Sequence, residues 1–327
     1  MSMKRREFIT LLGGAAAAWP LAARAQQRAF PVIGFLYAGS LESIETYAET
    51  AFRKGLSETG YDEGRNVAIE YRSAQNENKR LSELATELVR RGVAVIAAPG
   101  SPTAALAAKS ATTTIPIVFG VGSDPVKSGL VASLNRPGGN ITGVSTMNQE
   151  LGSKRLGLLL ELVPEARRFA VLVNPNSPGD ITDVQAAAAA LGRQVETLTA
   201  STNLDIDASF ASLAQKQVDA LLVSPGPPFG QRCVQLATLA ARYSVPSILP
   251  DRRYAEAGGL MSYGSNAIEM YRQAGIYTGR ILKGEKPPDL PVLQAAKFEF
   301  VINLHTAKLL GLDVPATLLA RADEVIE

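Results

Sequence analysis

The first residues with chemistry to offer lie where an apolar run, VAVIA (93–97), opens into Gly100-Ser101-Pro102-Thr103 and then into an alanine-rich helical pattern. The first turn of a helix has unpaired N–H groups and a partial positive charge, which suit a carboxylate or a phosphate. The same residues also suit plain capping, since serine or threonine satisfies the helix's own amides and proline fits its first position. Two echoes of the pattern follow: VNPNSPGD (173–180), with Asn174 and Asn176, and VSPGPPFG (223–230), with Ser224. Further candidates stand at the ends of other apolar runs. Tyr37 and Ser40 follow VIGFL, Ser123 and Asp124 lie in GVGSDPV, Asp251 opens DRRYAEAGG, and Tyr263 ends GLMSY. A tyrosine at a strand end can pack on the apolar part of a ligand and offer its hydroxyl. Each has a structural alternative. Asp124 either meets an ammonium or caps a helix leading into GLVASL. Asp251 either meets an ammonium or pairs with Arg252 or Arg253. Tyr263 either faces a ligand or packs in a core.

Signals for catalysis are poor. The one histidine, His305, lies in NLHTAK beside a helix start, and one histidine with one cysteine makes no metal constellation. Nucleophile-elbow, zincin and P-loop motifs are missing, and GVGSDP lacks the third glycine of a dinucleotide fingerprint. No basic patch or helix-turn-helix pattern points to nucleic acid. The residues therefore favour binding of a small solute without cofactor or metal.

These candidates need a scaffold, and the apolar pattern supplies one. VIGFLY (32–37), VAIEYR (67–72), VAVIA, PIVFGV (116–121), FAVLVN (169–174), QVETLT (194–199), VDALLVS (218–224), PSIL and GLMSYG (259–264) read as strands. Between them run helical patterns such as Leu81, Leu84, Ala85, Leu88 and Val89, which share one face at a 3.6-residue period. Further helices are expected from 153 to 163, 180 to 191, 206 to 216, 229 to 243 and 267 to 283. Near-continuous apolar strands joined by helices predict an α/β fold with parallel sheets covered on both faces. The pattern restarts after Gly143, so two doubly wound lobes are expected, with a boundary near RPGGNITGVS (136–145), where glycine and proline cluster. The first lobe is expected to span 30–145 and the second 146–264. Parts of 265–297 and 298–327 are expected to complete them. Ligands of such sheets bind beyond the carboxyl ends of the strands, where the candidates lie.

The N-terminus reads differently. Lys4-Arg5-Arg6-Glu7-Phe8-Ile9 is a twin-arginine pattern followed by the apolar stretch ITLLGGAAAAWPLA and the small-residue exit Ala23-Arg24-Ala25. That order describes an export signal cleaved near Ala25, and the apolar stretch is short for a membrane span. The leader carries a net +3, so its removal takes the formal charge from +2 to −1 and the mildly basic balance says nothing of partners. A lone cysteine, Cys233, cannot form an internal disulfide. An exported chain without an anchor points to a Gram-negative periplasm.

Several stretches taken together resemble the ABC-transporter substrate-binding protein family, which includes tryptophan- and aromatic-amino-acid-binding proteins. They are EGRNVAIEYR, IPIVF with SDPVKSGLV, LNRPGGNITGVS, KRLGLLLELVP, GGLMSYG and KFEFVINLHTAKLLGL. The resemblance covers about 30–327. It implies a type I periplasmic-binding-protein fold with a multi-crossing hinge, a monomer that traps a small organic solute such as an amino acid between its lobes, and an inner-membrane ABC permease as partner. By that analogy Ser101, Thr103 and Ser123 would meet a ligand carboxylate. Asp251 would meet an ammonium, and Asn174, Asn176 and Ser224 would close from the second lobe. A sensor that presents its solute to a membrane receptor and, further off, an exported hydrolase are the competing readings.

Overall fold

The computed structural model describes residues 30–40, 47–175, 181–226, 229–294 and 298–327. The export motif and Asn176 lie outside them. From Val32 onward the chain builds two α/β lobes, each around its own sheet.

The first sheet has six strands in the order β11-β5-β4-β3-β1-β2. They are β1 (Val32–Tyr37), β2 (Ala68–Ser73), β3 (Val95–Pro99), β4 (Ile117–Val121), β5 (Ile141–Ser145) and the short β11 (Leu293–Gln294). All pair in parallel. The inner strands β3, β4 and β5 are buried at every position, as a parallel sheet covered on both faces requires. One face is covered by α2 (Leu81–Arg91) and α3 (Pro102–Ala111), and α2 buries Leu81, Leu84, Ala85 and Leu88, the face expected from their spacing. The other face is covered by α1 (Ala48–Glu58) and by α9 (Ala267–Leu282), a helix from much later in the chain.

The second sheet has seven strands in the order β13-β12-β10-β9-β8-β6-β7. They are β6 (Arg168–Val173), β7 (Gln194–Thr199), β8 (Ala220–Val223), β9 (Ser247–Leu249), β10 (Met261–Gly264), β12 (Glu299–Asn303) and β13 (Glu324–Ile326). Only β12 runs antiparallel to its neighbour β10. Helices α4 (Gly152–Leu162) and α5 (Ile181–Ala190) lie on one face, and α6 (Asn203–Gln215) and α7 (Cys233–Arg242) on the other. The short helix α8 (Arg252–Glu256) follows β9, and α10 (Leu304–Leu309) and α11 (Ala316–Leu319) separate β12 from β13.

Among the described residues the chain changes sheet three times: from β5 to α4, from β10 to α9, and from β11 to β12. At the second passage Gly264 has no room for a side chain, because a Cβ there would lie 2.1 Å from the Pro250 carbonyl and 2.9 Å from Asn148 Oδ1. One expectation is corrected here. GLVASL is not preceded by a helix. The segment after Asp124 is a run of turns, with Ser128 N and Gly129 N donating to Asp124 O and Val126 O. Pro125 and Gly129 (φ 73°) favour turns over a continuing helix.

Candidate functional site

The carboxyl ends of β1, β3 and β4 face those of β8 and β9 across a cleft that holds a cavity of about 100 Å³. The first lobe contributes an aromatic wall made of Tyr37, Tyr47, Met270 and Tyr271, with Gly100 and Gly122 between the side chains. The second lobe contributes Phe229, Gln231, Leu249, Pro250 and Asp251, with Pro225, Gly226 and Gly230. Thr146, Asn148, Ser265 and Ala267, on the first two chain crossings, form the floor.

Sequence order explains each placement. Tyr37 closes β1, where successive side chains alternate faces, and it is 1 % exposed. Met270 and Tyr271 sit in the first turns of α9, which starts at the cleft because Asn266 caps it, its side chain accepting from Glu269 N at 3.1 Å. Asp251 caps α8 in the same way, through Arg253 N at 3.0 Å.

Two contacts already cross the cleft. Gln231 Nε2 donates to Tyr37 Oη at 2.6 Å. The Arg253 guanidinium lies 3.6 Å from the centroid of the Tyr47 ring, a cation–π contact, and Tyr271 meets the same ring edge-on at 6.0 Å. Arg253 also donates from Nε to Asp251 Oδ1 at 2.9 Å, from Nη2 to Asp251 Oδ2, and from Nη2 to the Gly230 carbonyl at 2.6 Å. Burial opposes the Arg253 charge most strongly, but the Asp251 carboxylate and the Tyr47 phenol together more than offset it and hold the pKa above its ordinary value. Burial raises the pKa of Tyr271, and the neighbouring Tyr37 adds to the shift. Burial also raises that of Tyr47, against the pull of Arg253. Tyr47 and Tyr271 therefore present neutral phenols at physiological pH. In the core of the second lobe, burial and Asp251 push the Cys233 thiol up to about 12, which leaves it unreactive.

The residues singled out from sequence divide between the cavity and its surroundings. Tyr37, Gly100 and Asp251 line it. Ser101 is 5 % exposed and is occupied by capping: its Oγ lies 2.6 Å from Thr103 Oγ1 and accepts from Ala104 N at 3.5 Å. Asp124 Oδ1 accepts from Val126 N at 2.8 Å and Lys127 N at 3.2 Å, which fixes the turn. Ser123 Oγ is buried without a partner among the described residues, and the Ser123 carbonyl accepts from Ser145 Oγ. Ser224 continues the sheet through its N–H to Leu172 O, and Asn174 is buried at the end of β6. Tyr263 turns into the second lobe, its ring 6.3 Å from Phe298 and 6.2 Å from Phe300. Ser40, beyond β1, is not among the lining residues. Sequence reading missed Tyr47, Phe229, Gln231, Met270 and Tyr271, because nothing local marks residues that only the topology brings together. Arg253 was visible as a partner of Asp251 but not as a group stacked on the opposite lobe. Among the described residues, no cluster of histidine, cysteine, aspartate or glutamate could hold a metal ion.

With this geometry in place, likeness to known proteins decides the family. Residues 41–326 match the ABC transporter substrate binding proteins. The chain belongs to that family. It is 29% identical over 268 residues to a tyrosine-binding protein of Clostridioides difficile (strain R20291), covering 81% of this chain and 76% of the relative. The crystal structure of an ABC domain in complex with L-Trp from Streptococcus pneumonia superposes with a TM-score of 0.77 at 26% identity, over 91% of this chain and 100% of the other. The ligand-free, open structure of a substrate binding protein from Clostridium difficile, also 26% identical and covering 90% and 99%, superposes with a TM-score of 0.59. The architecture is that of type I periplasmic binding proteins.

Proposed function

We propose that this chain is the solute-capturing component of an ABC importer and that its solute is an aromatic amino acid. The observation that carries this reading is the cleft wall: Tyr37, Tyr47 and Tyr271 with Met270 on one lobe, facing Phe229 and the Asp251–Arg253 pair on the other. Stacked or edge-on rings in such a wall favour a flat apolar side chain, and polar groups at its edge can orient an amino-acid backbone. The Ser265 Oγ on the floor, without a partner among the described residues, is one such group. The L-Trp complex and the tyrosine-binding relative support the same class of solute.

The cross-cleft contacts, and the better superposition on the L-Trp complex than on the open relative, support a reading of this arrangement as the closed one. Open lobes would exchange solute with water. Closure would add contacts from the second lobe, so solute would shift the equilibrium toward the closed form by its differential affinity. Both lobe surfaces would then be presented together to a membrane permease. In this reading the lobes comprise 30–145 with part of 265–297, and 146–264 with part of 298–327. The protein is exported through the twin-arginine leader to the periplasm, acts as a monomer and catalyses nothing.

Isothermal titration of the purified chain with L-tryptophan, L-tyrosine, L-phenylalanine and L-leucine tests the proposal. Saturable 1:1 binding of an aromatic member, with L-leucine at least about tenfold weaker, is expected. Equal affinity for L-leucine, or no binding of any of the four, would overturn it.

A further inference from the structure

Arg155 stands on the buried face of α4, is 2 % exposed, and has no carboxylate partner among the described residues. An isolated guanidinium is expensive to bury unless its donors are used. Here they are spent on two backbone carbonyls. Nη2 donates to Asn148 O at 2.9 Å and Nη1 to Tyr263 O at 3.2 Å. Asn148 belongs to the first chain crossing, and Tyr263 to the end of β10, from which the second crossing leaves.

The crossings are tied together a second time from the other side. Asn148 Oδ1 accepts from Ser265 N at 2.9 Å, and both residues line the cavity floor. The turn that carries Asn148 is meanwhile held by the first lobe: Thr146 N donates to Val121 O at 2.8 Å, Gln149 N to Gly122 O at 2.9 Å, and Asp124 N to Glu150 Oε1 at 3.0 Å. Arg155 thus grips, from the second lobe, a turn otherwise anchored in the first.

We propose that Arg155 is the positioning residue of the hinge, which locks the first two crossings in register and thereby sets how Asn148 and Ser265 meet the cleft. The proposal rests on the reading that the lobes open and close. A planar guanidinium with several fixed donors can bridge two carbonyls, whereas an ammonium on a flexible stem cannot reproduce that geometry. The register of the crossings then belongs to Arg155 and not merely to the bulk of the helix.

Spin labels at Glu83→Cys on α2 and Leu204→Cys on α6 place one exposed probe in each lobe, and the buried Cys233 thiol stays unlabelled. The distance distribution is measured on the full chain without added amino acid. Arg155→Lys is expected to broaden it about twofold, because one of the two carbonyl bonds is lost. Lower thermal stability with an unchanged distribution would mean a packing role and would overturn the proposal. Should Arg155→Lys fail to fold, Asn148→Ala removes the second tie and is expected to broaden the distribution likewise. An unchanged distribution in that variant would also overturn it. Failure of the unaltered protein to bind any aromatic amino acid would strike the proposed function and leave this test of the hinge intact.

Discussion

At the scale of single residues, Asp251 shows how a helix cap and a place in the cavity lining can share one side chain, whereas Ser101 caps its helix without lining the cavity. Asp251 lines the cavity, caps α8 and takes two bonds from the Arg253 guanidinium. Asp251→Ala should therefore cost about 2 kcal/mol of stability, from the lost cap and from a partly buried charge left without its partner. Urea unfolding reads this directly, and a loss below about 0.5 kcal/mol would mean that the pair is not held in solution. Ser101→Ala should cost less, about 0.5 kcal/mol, because its bond to Ala104 N is already long at 3.5 Å. A change in binding seen in Asp251→Ala thus has to be separated from a change in folding. Adding Arg253→Met to it should restore part of the stability, since the orphaned charge goes as well.

At the scale of elements, the first lobe depends on a helix delivered from far away in the chain. α9 lies against α1 through small residues: a Cβ on Gly275 would sit 2.1 Å from the Phe52 carbonyl, and one on Gly55 would sit 1.8 Å from the Arg272 carbonyl. Backbone cannot yield as a side-chain tip can, so Gly275→Ala should destabilise by about 3 kcal/mol and loosen the wall that carries Met270 and Tyr271. Thermal unfolding together with weaker aromatic binding would show it, and wild-type stability would refute it. A second element, α6, makes a pH prediction. Thr202 Oγ1 accepts from Asp205 N at 3.2 Å, and Asp205 Oδ2 accepts from Ser201 N, Ser201 Oγ and Thr202 N. Those bonds lower the Asp205 pKa, the Ser201 N–H foremost. Their stabilisation is complete above the carboxyl's ordinary pKa and fades as pH falls through the lowered one. Asp205→Asn should therefore cost about 1 kcal/mol at pH 7, and its deficit should shrink below about pH 4. A deficit of constant size from pH 7 to pH 3 would contradict that assignment.

The elements were also the most legible scale in the sequence. β4 falls within PIVFGV, β3 (Val95–Pro99) begins within VAVIA and runs two residues past it, and Leu81, Leu84, Ala85 and Leu88 are the buried face of α2, because burial acts on apolar period wherever an element packs. Local spacing carries no information about distant partners. Hence Tyr47, Tyr271 and Arg253, more than 200 residues apart at the extremes, could not be read as one cluster. Arg155 was equally hidden, since KRLGLLLELVP reads as an ordinary amphipathic helix until two carbonyls arrive from Asn148 and Tyr263. The supposed helix after Asp124 failed for a local reason: an aspartate before Pro125 satisfies a turn as well as a helix start.

At the scale of the whole molecule, the joint between the lobes contains a residue in a costly conformation. Met147 lies in the left-handed region, with φ 52° and ψ 22°, directly before Asn148 on the first crossing. Such a backbone costs a residue with a Cβ about 1 kcal/mol relative to glycine. Met147 does not line the cavity, so replacing it leaves the cavity lining unchanged. Met147→Gly should relieve the cost in the arrangement where Gln231 reaches Tyr37 and Arg253 reaches Tyr47. The ratio of closed to open molecules should rise about fivefold. Small-angle scattering without solute should then give a smaller radius of gyration than for the parent. Binding of L-tryptophan or L-tyrosine should tighten, mainly through slower release, until the closed form predominates and no further gain is possible. An unchanged radius and affinity would mean that Met147 keeps its left-handed backbone in both arrangements. The strain would then be a fixed feature of the turn and not a spring in the hinge, because an energy present equally in two states cannot shift the balance between them.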